Sequence, residues 1–122
     1  MRSALILFAH GSRDADWAKP FERIAALVKR SLPEREVRLA YLEHMTPTLG
    51  DSLAGLPELG VRHVQVVPLF FGLGGHLKQD LPRLLAAADE RLEVQVEPPL
   101  GEQAGIIEAI AEAIARGARA SR

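Results

Sequence analysis

A chain of 122 residues fits one domain and is long enough to bury a real core. A net charge of -1, with 25% charged and 48% apolar residues, excludes bulk electrostatic binding to nucleic acid. The absence of cysteine excludes disulfides, thiolate metal sites and thiol nucleophiles, so any metal must take nitrogen or oxygen ligands.

Residues 4–9 form a continuous apolar run, the pattern of a parallel strand covered on both faces. His10 and Arg13 interrupt it too early for a signal peptide, and no stretch approaches the ~20 apolar residues of a membrane span. The expectation is a cytoplasmic protein with no membrane partner. Asp14 or Asp16 can cap a first helix whose stripe is Trp17, Phe21, Ile24, Leu27 and Val28, with Pro33 ending it. A second strand spans 36–43, where Val37, Leu39 and Tyr41 alternate with Arg38 and Ala40. Thr46-Pro47 opens a short helix carrying Leu49, Leu53 and Leu56, stopped by Gly60. A third strand covers 61–71, a third helix 76–88, a short fourth strand 93–97 and a last helix 103–115. That last helix carries a stripe of Ile106, Ile107, Ile110 and Ile114, and residues 116–122 read as a frayed tail. The order βαβαβαβα predicts one α/β domain of three layers, a four-stranded parallel sheet with helices on both faces. So small a sheet leaves an exposed edge or helix face for a second copy, and a homodimer is expected.

In open parallel sheets, ligands bind outside the carboxyl ends of the strands. Two histidines are expected there. His10 ends the first strand and precedes Gly11; His76 follows Gly72, Gly74 and Gly75 at the start of the third helix. Imidazole ligates divalent transition metals and acts as a base near neutral pH. Glu43, at the end of the second strand, lies at the same edge and serves as a third ligand, a proton acceptor or an orienting partner. Gly74 and Gly75 allow close approach to the backbone, and the helix start presents free N–H groups to an anion. Ser12, Arg13 and Lys78 can grip carboxylates, or serve as a helix cap and solvated surface charges. His44 and His63 carry less weight: His44 neighbours Glu43 but would face the opposite side of a strand, and His63 starts the third strand at the wrong end.

Taken together, His10-Gly11-Ser12-Arg13, Tyr41-Leu42-Glu43 with Thr46-Pro47, Val67-Pro68-Leu69-Phe70-Phe71, Gly74-Gly75-His76 and Asp80-Leu81-Pro82 resemble the short-form sirohydrochlorin chelatases. These are the CbiX-type class II tetrapyrrole chelatases, and the match runs from residue 4 to about 115. The resemblance implies a small chelatase domain, a flavodoxin-like half, pairing as a homodimer. It implies insertion of Co2+ or Fe2+, with Ni2+ also accepted by imidazole, into sirohydrochlorin for cobalamin or sirohaem synthesis. The metal is a substrate and no cofactor stays bound. By the same resemblance His10 and His76 are the metal-site histidines and Glu43 the acidic residue, with Ser12, Arg13, Gly74, Gly75 and Lys78 left to bind substrate. Leu73, Leu77 or Phe71 would meet the macrocycle face. The histidine-rich tract of some relatives is missing here.

Other readings differ in chemistry. A metal- or tetrapyrrole-binding carrier would use the same groups without turnover. A histidine phosphatase using His10 would lack an arginine clamp, because position 9 is Ala; a serine hydrolase using Ser12 lacks GxSxG.

Overall fold

Six consecutive buried residues, 4–9, place the first strand at the centre of the sheet, where both faces need covering. The computed structural model describes residues 2–121. It contains strands β1 (Arg2–Ala9), β2 (Glu36–Tyr41), β3 (Val61–Pro68) and β4 (Glu93–Val96). All pairings are parallel, and the order is β2-β1-β3-β4. The helices are α1 (Lys19–Ser31), α2 (Leu49–Leu53), α3 (Gly75–Ala86) and α4 (Ile106–Ala120).

Alternation along β1 divides the core in two. Ala4, Ile6 and Phe8 join Val64, Val66, Leu49, Leu53, Leu56 and Leu81, so α2 and α3 cover this face. Leu5, Leu7 and Ala9 join Val37, Tyr41, Ala25 and Leu69 under α1 on the other. Phe8 is fully buried, and burial of such a side chain contributes about 1.5–3 kcal/mol. The expected three-layer α/β arrangement is the one observed. Strand order reverses between β1 and β3, and this switch point opens a crevice at their carboxyl ends.

Several expected boundaries shift for local reasons. Asp14 does cap, accepting from Asp16 N at 3.0 Å, but what it caps is a 3-10 turn over Ala15–Ala18. The α-helix starts only at Lys19; its inner face is Phe21, Ala25 and Val28, continued by Trp17 before it and the C-cap Leu32 after it, while Ile24 and Leu27 are exposed. Thr48, rather than the Thr46-Pro47 pair, starts α2, through a capping box with Asp51. The third strand stops at Pro68. Helix α4 extends to Ala120, so 116–120 are helical and not a frayed tail. None of its residues is buried, and Ile107, Ile110 and Ile114 are 52%, 37% and 66% exposed. The isoleucine stripe is therefore real but faces away from this sheet. Among the described residues no helix is long and apolar enough to cross a membrane.

Candidate functional site

β1 leaves the core at Ala9 and delivers His10 to the crevice, with its side chain 55% exposed. The next residue, Gly11, is buried with φ +96°, and a Cβ there would overlap the Glu43 carbonyl oxygen. Only glycine lets the two chains pass this close. The approach is fixed by backbone bonds from Leu42 N to Ala9 O at 2.9 Å and Glu43 N to His10 O at 3.1 Å. These bonds continue the β1–β2 ladder beyond its last strand pair and hold residue 43 beside residue 10.

The side chains meet where the backbone brings them. His10 Nε2 lies 3.1 Å from Glu43 Oε1. The Phe70 ring stands edge-on to His10, with centroids 6.1 Å apart. Across the opening, Gly74 caps α3 in extended conformation and no side chain satisfies that helix start. His76, in the first turn, shares with His10 a cleft of about 270 Å³, completed by Leu42, Phe70, Gly72, Gly74, Leu77 and Asp80. The two imidazoles, one just past β1 and one in the first turn of α3, thus line one cleft. Among the described residues, no group of three His, Cys, Asp or Glu side chains stands close enough together to hold a metal ion.

Apart from Leu77, which lines the cleft, the other sequence candidates lie around it. Ser12 Oγ accepts from Asp14 N at 3.1 Å, so it shapes the loop that leads to the 3-10 turn. Arg13 and Lys78 are exposed, and among the described residues neither is ion-paired. Gly75 is the first residue of α3. Phe71 is 68% exposed at the cleft's edge; Leu73 and Leu77 pack partly against the core. Gly101 sits so close to the Phe71 carbonyl that a Cβ would overlap it, which ties this loop to the turn before α4. His63 pairs with Glu93 at 3.1 Å at the opposite end of the sheet, as expected.

Three cleft residues belong to the motifs that carry the resemblance but have no site role there. Leu42 and Phe70 flank named positions. Asp80 lies one helical turn after His76, on the same face of α3, and that i, i+4 spacing could have found it. Among the described residues the cleft is lined by no arginine or lysine and does include Asp80, a poor lining for a phosphate.

His44 departs from expectation. Residues 42–47 bend and do not continue β2, and His44 takes φ +66°, so strand alternation no longer governs it. Its Nε2 comes within 3.4 Å of Glu43 Oε1, the oxygen that also meets His10. Its ring lines a second, open cavity with Ala15, Ala18, Glu22, Tyr41, Met45 and Thr46. Burial, and then the Glu22 carboxylate, push the Tyr41 hydroxyl above its ordinary value, so this phenol stays neutral.

The CbiX family model matches residues 4–117. A sirohydrochlorin cobaltochelatase of Saccharolobus islandicus (strain Y.G.57.14 / Yellowstone #1) is 30% identical over 118 residues, covering 93% of this chain and 91% of its own. Another, from Sulfolobus acidocaldarius, is 29% identical over 108 residues, covering 88% and 86%. Among solved structures, a cobalamin (vitamin B12) biosynthesis CbiX protein of Marinobacter aquaeolei VT8 superposes with a TM-score of 0.84 at 31% identity, over 98% of this chain and 99% of that one. The sirohydrochlorin chelatase SirB from Bacillus subtilis subspecies spizizenii, in complex with cobalt, shares the fold at a TM-score of 0.81 and 23% identity, over 95% of this chain and 51% of SirB. A match from the first strand through most of the last helix, with relatives of nearly equal length, means that the chain belongs to the CbiX family.

Proposed function

We propose that this protein is a chelatase that inserts Co2+ or Fe2+ into sirohydrochlorin, with His10 and His76 holding the ion and Glu43 accepting a pyrrole proton. The observation that carries the reading is the pair of imidazoles lining one cleft, with a carboxylate bonded to the first. The names of the curated relatives support the substrate. Metal insertion forms bonds from the ion to the macrocycle nitrogens and releases two pyrrole protons. Two neutral imidazoles leave coordination positions open for those nitrogens. In this reading the carboxylate beside His10 takes a proton as the ion leaves for the ring, and its contact with His10 supports that role.

A cleft of about 270 Å³ is below the ~300–1,000 Å³ of pockets that enclose drug-sized ligands, and a tetrapyrrole is larger still. The macrocycle therefore lies over the mouth, with exposed Phe71 against its apolar face. Its peripheral carboxylates meet the uncapped start of α3 at Gly74 and Gly75, and Arg13 and Lys78 on the rim. Ser12 shapes the rim loop. The reaction suits a reducing cytoplasm, where Fe2+ persists.

The test is anaerobic mixing of protein, sirohydrochlorin and Co2+ or Fe2+. A chelatase gives many turnovers per chain above the protein-free rate; a carrier gives a spectral change that stops at one equivalent. His63→Ala keeps the wild-type rate, because that imidazole sits at the far end of the sheet. A large loss in this variant would move the site to the other edge.

A second copy of the chain supplies the rest of the cover, and α4 is its contact. The stripe of Ile107, Ile110 and Ile114 is exposed here, and SirB, about twice as long as the matched segment, has room for two units of this size. Ile110→Glu should convert a dimer to a monomer by sedimentation velocity. A wild-type monomer at micromolar concentration would remove the dimer from the proposal.

A further inference from the structure

We propose that His44 is a positioning residue for metal insertion: it takes over the Glu43 carboxylate oxygen that His10 holds in the metal-free site. The inference rests on the reading that a metal ion is taken up at His10.

Two imidazoles approach Glu43 Oε1: His10 Nε2 is hydrogen-bonded to it at 3.1 Å, and His44 Nε2 stands 3.4 Å away, within reach once His10 lets go. The backbone of residue 43 is fixed to His10 O, but its side chain is 51% exposed and free to swing. When His10 Nε2 gives its lone pair to a metal ion, that nitrogen can no longer donate to Glu43. The carboxylate then loses its partner at the moment when its place beside the ion matters. His44 is the remaining described partner of that oxygen, and metal binding in the cleft leaves it in place.

The loop is built to keep it there. Tyr41 N donates to Pro47 O at 2.9 Å, and Tyr41 bridges to Thr48, closing the 42–47 bend at its base. Inside this bend His44 adopts φ +66°, a region that L-residues other than Asn, Asp and His seldom enter. In that turn His44 comes within reach of the Glu43 carboxylate and also lines the cavity of Glu22, Tyr41 and Met45. The His44 side chain is 34% exposed, against 55% for His10. Partners that orient groups around a bound metal ion typically cost 10–100-fold in affinity or activity when removed.

Two variants separate positioning from mere packing. His44→Phe keeps a ring but removes the N–H; His44→Gln restores an N–H donor of similar reach. With Co2+ and sirohydrochlorin, His44→Phe should lower kcat by about tenfold with both KM values unchanged, and His44→Gln should recover most of it. A kcat for His44→Phe within twofold of wild type, or a Gln variant no better than Phe, overturns the proposal. A second readout needs neither tetrapyrrole nor the Phe variant's folding. In 15N-histidine-labelled protein, Glu43→Gln should shift the His44 Nε2 resonance from its wild-type position both without metal and with Zn2+ bound. An unmoved resonance overturns the contact. If wild-type protein fails to metallate sirohydrochlorin while the resonance moves, the proposed reaction falls and the His44–Glu43 hold stands.

Discussion

His10→Ala should reduce cobalt insertion into sirohydrochlorin by about 100-fold or more, with a thermal midpoint close to that of wild type. The two halves of this expectation come from different properties of one side chain. His10 is more than half exposed and belongs to neither core cluster, so its removal opens no cavity. The pair it makes with Glu43 is solvent-exposed, and such pairs contribute about 0–1 kcal/mol to stability. The chemistry loses far more. One of two imidazoles is gone, and Glu43 loses the neighbour that marks where the ion will sit. His76→Ala should be damaging too, by a smaller factor, because His76 has no such partner among the described residues. Single-turnover absorbance with excess enzyme under argon measures both. Wild-type rates in the two variants would remove the imidazole pair from the mechanism, whatever becomes of the overall activity.

How far these positions can be read without coordinates depends on what physical rule governs each. The first strand is legible because burial on both faces leaves an unbroken apolar run, and His10 is legible because that run stops there. The first helix is legible in kind but not in phase. Trp17 packs with Phe21 on the buried face although residues 15–18 form a 3-10 turn, but Ile24 and Leu27 are equally apolar and sit one position off that stripe, so composition alone does not choose between them. Counting from Phe21 gives 21, 25, 28 and 32, the face that is buried. Helix α4 shows a different limit. Periodicity reports that a helix has an apolar face, and is silent on which chain covers it. His44 shows a third: alternation holds only while the strand continues, and β2 ends at Tyr41. Nothing in the sequence announces that a histidine three positions later will turn left-handed. Glu43 is legible because it follows the second strand as His10 follows the first, and neighbouring parallel strands carry such residues to one edge.

Gly11→Ala should be the most damaging single-methyl change at the site, and a second glycine isolates why. Gly11 has φ +96° and Gly60 has φ +84°; nothing lies within 4 Å of a Cβ built on Gly60, while one on Gly11 overlaps the Glu43 carbonyl. Both alanine variants force an L-residue into the left-handed region, costing roughly 1–2 kcal/mol. Gly11→Ala adds an overpacking cost of typically 1–3 kcal/mol, and backbone cannot step aside as a flexible side chain would. Relief requires residue 43 to move away, which breaks the bonds from Glu43 N to His10 O and from Leu42 N to Ala9 O. The combined loss of about 2–5 kcal/mol is a large share of the ~5–15 kcal/mol that holds a domain together. Its thermal midpoint should fall by about 10 °C or more, clearly beyond that of Gly60→Ala. Activity should fall further than stability explains. Below its melting temperature, folded Gly11→Ala protein should metallate slowly because Glu43 no longer stands beside His10, whereas Gly60→Ala keeps its rate. Circular-dichroism melts paired with the anaerobic assay measure both effects. Equal midpoints and equal rates in the two variants would mean that the close passage of residues 11 and 43 does not build the site.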